Sequence, residues 1–342
     1  IIIIGGGLGG LTAGAKLAKE GKTVLLIEQH NKPGGCATTF KRGDFTMEVG
    51  LHEMDGPSPG DMKSKIFSEL DVFGNIEFIR VPEFYHFSSD HLNITVPHNP
   101  IEATKVLGKE FPQEIDGIKA FYDQILSPKR RSAQSGITKE QSLGEFLDSI
   151  IHNEDLKLVL LGNLGYFHDD PYSLSLTYYS IAQGSYFKGG ASFIKGGSQK
   201  LSDHLAKYIR NHGGEVLLNH LVTGIVTEGT YLKGAIYKKK TGFSSEIITA
   251  YADEIIANTA LPNLAELLPE EYGKKVKNET EGQKPGASLL TVYFGFKKPL
   301  KVIGNHHYST FIFDSSVKTQ ADILKNNKAD FHNRSFTFID YG

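Results

Sequence analysis

Four consecutive isoleucines running straight into a glycine turn are the feature that most restricts what this chain can fold into. Ile1 to Ile4 is an unbroken β-branched run suited to a buried strand of a parallel sheet. Gly5, Gly7 and Gly10 follow it in the spacing G-x-G-x-x-G. Leu8, Leu11, Ala15 and Ala18 then recur at helical intervals until Gly21 stops the helix. A second apolar strand, Val24 to Ile27, ends in Glu28, eighteen residues beyond Gly10. Each piece suits a bound dinucleotide. Gly5 permits the tight turn, Gly7 admits a pyrophosphate to the backbone, and Gly10 lets the helix press on the strand. Leu8 and Gly9 fall in the first helical turn, whose free N–H groups and positive dipole end point at the phosphates. Glu28 is placed to accept from a ribose hydroxyl. The glycine spacing alone is a weak signal; strand, turn, helix, strand and terminal acid together predict a dinucleotide site.

At 342 residues the chain is long enough for two intertwined domains. Its 37 basic and 39 acidic residues nearly cancel, which leaves no electrostatic footprint for nucleic acid. The single cysteine, Cys36, excludes an intramolecular disulfide framework and fits a reducing, cytoplasmic compartment. No secretory leader pattern opens the chain, and the weakly polar run from Ile1 to Ala15 is too short and too glycine-rich to span a bilayer. Both ends read as cut: the first residue already lies in a strand, and Phe336 to Gly342 reads as another strand with nothing after it to close the fold. Residues are therefore expected beyond both ends, chiefly the C-terminal one.

Glu28 and Gln29 are followed by His30-Asn31-Lys32 and then Pro33-Gly34-Gly35-Cys36, where two glycines let the backbone run against a ligand without Cβ interference. The combination of G-x-G-x-x-G, Glu28 and Pro-Gly-Gly resembles the FAD-binding opening of glutathione-reductase-type flavoproteins, in the branch that holds amine oxidases and phytoene desaturases. Many members carry Arg where this chain has Cys36. The run Glu28 to Cys36, followed by Met47-Glu-Val-Gly-Leu-His52, is more similar to the retinol saturase and carotenoid isomerase side of the phytoene desaturase family. The resemblance implies FAD rather than NAD, a distinction the glycine spacing does not make. It also implies an α/β fold: a Rossmann-type FAD-binding domain with an inserted β-meander, and an interleaved α+β substrate domain whose mixed sheet is covered by helices. The expected boundaries are 1–60 with 190–262 for the first domain and 61–189 with 263–342 for the second. In that family the position of Val222 meets the adenine through its backbone, and Ala257-Asn258 passes close to the cofactor.

Farther along, residues 61–160 read as mostly helical, interrupted by a hairpin-like stretch at Glu77 to Val81 and His91 to Val96. Ser127 to Gly136 is a basic polar loop, solvated or touching anionic headgroups. Tyr166, Phe167, Tyr172, Tyr178, Tyr179, Tyr186 and Phe187 make an aromatic-rich block that suits either a core or the lining of an apolar channel. The run Gly189 to Leu201 is expected to open a helix that continues to about His212. Short strands at Val222, Tyr231 and Glu246 form the meander, and Asp253 to Ala257 returns to the parallel sheet. Three more strand candidates, Leu290 to Phe296, Tyr308 to Phe313 and Ser335 to Phe338, put Phe294 with Phe296, Phe311 with Phe313 and Phe336 with Phe338 on one sheet face.

No zinc spacing, nucleophile elbow or P-loop is visible, so no metal is expected. Where the resembling family's chain passes near the flavin, Glu48 and His52 are the proton-handling candidates, His52 the better because its charge changes near neutral pH; a structural role competes for each. The implied function is FAD-dependent desaturation or saturation of carbon–carbon bonds in a long apolar, polyisoprenoid-like molecule, with an unidentified electron partner and scope for peripheral membrane contact. A carotenoid cis–trans isomerase using reduced FAD is the alternative, ahead of an amine oxidase or a flavin-binding protein without turnover.

Overall fold

The computed structural model describes residues 1–58, 60–128, 140–240, 246–283, 286 and 288–342. The basic loop expected at Ser127 to Gly136 and the turn at Thr241-Gly242 thus fall almost wholly outside the described residues. The chain forms two units. The first comprises Ile1–His52, Pro59–Ile79 and Phe193–Lys284, and the second Glu53–Ser58, Arg80–Ser192 and Pro285–Gly342. The helices Met62–Glu69, Leu261–Leu267 and Glu270–Glu279 fall in the first unit, although the sequence reading placed all but the start of the second of them in the substrate domain.

A four-stranded parallel sheet organises the first unit, in the order Glu215–Leu217, Leu25–Ile27, Ile2–Ile4, Ile255–Ala257. Ile2, Ile3 and Ile4 are all buried because both faces of the sheet are covered. Alternation along the strand sorts them. Ile3 meets the helical layer: a Cβ on Gly14 of the opening helix would lie 3.1 Å from Ile3 Cδ1 and 2.9 Å from Ile209 Cδ1 in the helix Gln199–Asn211. The absence of a side chain at Gly14 is what lets these elements approach. Ile2 and Ile4 instead share a core with Ile27 of the neighbouring strand and with Val222, Ile225, Ala235 and Tyr237 of the meander. Each isoleucine so buried contributes about 1.5–3 kcal/mol. The meander itself is antiparallel, His220–Glu228 against Tyr231–Lys239 against Ile247–Tyr251, with a register shift between Val222 and Gly224.

The second unit has a mixed sheet in the order Phe336–Ile339, Ser309–Ile312, Tyr85–Ser88, Asn93–Val96, with only the middle pair parallel. Helices Pro100–Glu110, Ile115–Leu126, Leu143–Ile150, Glu154–Leu160 and Leu176–Gly189 supply most of its core, around Phe84, Phe87, Phe121 and Tyr179. The aromatic-rich block divides: Tyr179 is fully buried, Phe167, Tyr186 and Phe187 pack against the core, and Tyr172 and Tyr178 are exposed. Two strand expectations change. Leu290 to Phe296 belongs to no ladder among the described residues and leaves Leu290, Val292, Phe294 and Phe296 exposed. Phe336 and Phe338 lie opposite Ile312 and Thr310, so they share the face of those residues and not that of Phe311 and Phe313. The pairing of the two strands fixes this, which alternation within one strand does not reveal.

Candidate dinucleotide site

All parts of the glycine turn are held by backbone at the carboxyl ends of the first unit's strands. Gly5 has φ +99 and donates its N–H to Ile27 O at 2.9 Å. A Cβ there would lie 2.4 Å from Asn258 O, and one on Gly10 would lie 2.2 Å from Gly5 O, so neither position admits a side chain. Gly7 precedes the helix Leu8–Lys19, whose first turn has no side-chain cap and no acidic residue. Leu8 is half-buried and Gly9 exposed, so that helix end faces outward with its N–H groups free of competing carboxylates.

The second glycine site is built directly onto the first. Gly34 donates its N–H to Gly6 O at 2.7 Å and forms a parallel bridge with Gly7. Gly34 (φ +125) and Gly35 (φ +61) both need conformations that L side chains rarely adopt, and a Cβ on Gly35 would come 3.3 Å from Gly7 Cα. Two polar side chains of the helix Gln199–Asn211 fasten this loop: Gln199 Nε2 donates to Pro33 O at 3.0 Å and Ser202 Oγ to Ala37 O at 2.7 Å. These clamps carry no motif and were not singled out from the sequence; a Ser and a Gln on the buried face of an amphipathic helix was the available signal.

Glu28 is buried at the mouth of the turn, but its carboxylate does not wait free for a sugar. Oε2 accepts the Gly6 N–H at 2.6 Å and Oε1 accepts the His30 N–H at 2.7 Å. Each oxygen keeps a second acceptor position, so the acid both fixes the turn and retains capacity for a hydroxyl. Asn258, at the end of the strand Ile255–Ala257, lies across the glycines: its N–H bonds Ile4 O at 2.8 Å, and its Oδ1 is 2.7 Å from where a Gly9 Cβ would be. Gln29 is exposed and takes a 3.4 Å hydrogen bond from Lys240 Nζ; the Cys36 thiol is free and exposed. Val222 has a buried side chain, and the register shift just after it interrupts the ladder.

The two proton-handling candidates separate. Both Glu48 carboxylate oxygens are engaged by Ser198: its N–H reaches Oε2 at 2.8 Å and its hydroxyl donates to Oε1. Burial raises the pKa of Glu48, and the Ser198 bonds offset part of that rise. This geometry ties the hairpin Thr39–Arg42 and Phe45–Glu48 to the start of a helix, which is an anchoring task. His52 is half-buried, and burial lowers its pKa, holding the ring neutral. No group of three His, Cys, Asp or Glu able to hold a metal occurs among the described residues, and no described helix is long and apolar enough to cross a membrane.

Residues 3–70 match the family of NAD(P)-binding Rossmann-like domains. Over about nine-tenths of its length the chain is similar to curated relatives: 24% identical to an all-trans-retinol 13,14-reductase of Rattus norvegicus (92% of this chain, 57% of that protein) and 23% to a lycopene-forming phytoene desaturase of Pantoea ananas (90% and 63%). A prolycopene isomerase of Daucus carota is 27% identical over 86% of this chain and 52% of its own. The chain therefore spans only about half to three-fifths of the length of these relatives. A solved oxidoreductase from Methanosarcina mazei superposes with a TM-score of 0.61 at 19% identity, covering 83% of this chain and 65% of that one, and shares the fold.

Proposed function

We propose, from the premise that this chain belongs to the phytoene desaturase, retinol saturase and carotenoid isomerase family, that it holds FAD and acts on carbon–carbon double bonds of a long apolar polyene. The observation that carries the cofactor reading is the backbone bridge between Gly7 and Gly34. It merges two Cβ-free stretches into one cradle beside an uncapped helix end, with the Glu28 carboxylate at its edge. That combination fits a diphosphate with a ribose attached.

Bound flavin supplies the two-electron chemistry. The residues of this chain do the rest. Gly5, Gly7 and Gly10 bring backbone to the diphosphate, the first turn of the Leu8–Lys19 helix neutralises its charge, and Glu28 accepts from the ribose. Gln199 and Ser202 keep the Pro-Gly-Gly loop against the turn. Loss or gain of hydrogen across a carbon–carbon bond is the leading reaction. Cis–trans isomerisation with reduced FAD is the second reading, favoured by the similarity to the Daucus carota isomerase.

Purified chain tests this directly. The expected result is a yellow protein that releases FAD on denaturation and bleaches anaerobically with a reductant. Product analysis with a polyene then separates a change in hydrogen count from isomerisation. A colourless protein that binds NAD(P) but no flavin would refute the cofactor assignment, and tight polyene binding without conversion in either redox state would leave a carrier.

A further inference from the structure

Glu48 has a task that reaches beyond its own hairpin. It is buried, and it lies opposite Thr39 where the strands Thr39–Arg42 and Phe45–Glu48 pair. Both its oxygens go to Ser198, 150 residues away, where the helix Gln199–Asn211 begins. That helix does not close its own start. Ser198 stands at the cap position with helical backbone angles (φ −61, ψ −23), its side chain makes no capping bond, and the first turn holds no acidic residue. Its hydroxyl and its N–H are given to Glu48 instead. A buried carboxylate from the hairpin thus supplies the negative charge and the acceptors that a helix start requires. Gly197 makes the approach possible: it has φ +91, and a Cβ there would lie 2.6 Å from Thr39 Cγ2 and 3.2 Å from Glu48 Oε2.

What this helix start carries is the second glycine site. Gln199 follows Ser198 directly; its amide donates to Pro33 O and to Asp203 Oδ1, and it accepts the Thr39 N–H at 3.4 Å. Ser202, one turn on, donates to Ala37 O, and its Oγ would stand 2.5 Å from a Cβ on Gly34. Helix and loop therefore touch with no slack between them, and neither shifts toward the other without a clash. Gly34 in turn donates to Gly6 O, and Gly6 donates to Glu28 Oε2. A continuous series of hydrogen bonds and single peptide links runs from Glu48 to both glycine stretches, all of it inside the first unit. The hairpin closes through its own ladder, from Thr39 and Glu48 to Arg42 and Phe45. The bonds to Ser198 are not needed to close it; they act on the helix.

We propose that Glu48 is a positioning residue of the dinucleotide site: by capping the helix Gln199–Asn211 it sets where Gln199 and Ser202 hold the Pro-Gly-Gly loop against the glycine turn. For its ligand the proposal rests on the FAD reading above, and it deepens that reading by putting one control of cofactor affinity at a residue outside the cradle. The cradle is then assembled before the cofactor arrives. The entropy of ordering the loop is lost on folding and not on binding, which leaves more of the contact energy for affinity.

Two measurements on the flavin-free full chain test this together: FAD titration followed by flavin fluorescence, and amide hydrogen exchange. Glu48→Gln keeps the shape and removes the charge. It should weaken FAD binding about tenfold, the worth of one hydrogen bond to a charged group. It should also speed exchange at the Gly34 and Ala37 amides, which bond Gly6 O and Gly34 O, while the strands Ile2–Ile4 and Leu25–Ile27 stay protected. A merely structural loss would speed exchange in all of them alike. Ser202→Ala breaks the far end of the same connection, so Glu48→Gln added to it should weaken binding by less than it does alone. Should Glu48→Gln fail to fold, Ser198→Ala, which removes only the hydroxyl, should move both readings in the same direction. Unchanged FAD affinity and Gly34 exchange, or a uniform loss of protection, overturn the proposal. If the unsubstituted chain binds no FAD, the cofactor reading fails by itself, and exchange at Gly34 still reports whether Glu48 holds the loop.

Discussion

Glu53, a buried acid of the second unit, makes stability depend on pH in a way that a single substitution should erase. Glu53 titrates at an ordinary 4.5 in the unfolded chain and at about 8 in the fold. Between those values the unfolded state is ionised while the folded state holds a proton. Folding therefore takes up a proton, and stability contributed below pH 4.5 is lost progressively as pH rises to about 8, then levels off. At about 1.4 kcal/mol per pH unit, the whole loss is about 5 kcal/mol. Glu53→Gln keeps the shape and removes the titration, leaving a burial cost that does not vary with pH. Urea unfolding of both proteins at intervals from pH 5 to pH 9 isolates the effect, because every other titrating group is common to the pair. The variant should gain on the wild type with each step upward and stop gaining above pH 8. Two curves that stay parallel throughout would mean that Glu53 is already ionised in the fold, and the burial argument would be wrong.

Three further outcomes follow from the dinucleotide site. Glu28→Ala removes the acceptor of the Gly6 and His30 N–H groups, and should cost about 1–3 kcal/mol in stability together with at least a tenfold loss in flavin retention, read by dialysis and absorbance; undiminished flavin content contradicts the ribose contact. Gly10→Ala places a methyl carbon 2.2 Å from Gly5 O and should abolish soluble, flavin-bearing protein, whereas Gly43→Ala, with open space around it but φ +56, should cost only about 1 kcal/mol. Ser198→Ala removes the hydroxyl that donates to Oε1 of the buried Glu48 and leaves the backbone N–H on Oε2; it should destabilise by about 1–3 kcal/mol, while a chemical role for Glu48 would predict altered turnover in protein that remains folded and loaded.

What was legible in the chain was whatever local covalent geometry enforces. The isoleucine run, the glycine spacing and the terminal acid constrain one another over 28 residues, and each lies where expected. The Pro-Gly-Gly stretch was readable for the same reason, since φ +125 and φ +61 at Gly34 and Gly35 are conformations glycine exists to supply. The contact that joins Gly34 to Gly6 was not readable, because it depends on Gln199 and Ser202 arriving from a helix some 165 residues away. Cross-strand faces failed likewise. Period-two alternation sorts residues within a strand, but the relation of Phe336 and Phe338 to Phe311 is fixed only by pairing register.

The acids around the second glycine site show what burial decides and type and spacing do not. Glu48 and His52 were preferred because of where they fall after the second glycine site, and by composition Glu53 is no different from Glu48. What separates the two acids is their company. Glu48 meets a helix start at Ser198, where an N–H and a hydroxyl satisfy its charge. Glu53 is buried under the like charge of Glu83, and among the described residues nothing donates to its Oε2. A satisfied buried carboxylate is a fastener, and an unsatisfied one retains a proton. That distinction is set by groups distant in the chain, Ser198 for Glu48 and Glu83 for Glu53, so no local pattern around residues 48–53 could have told the two acids apart.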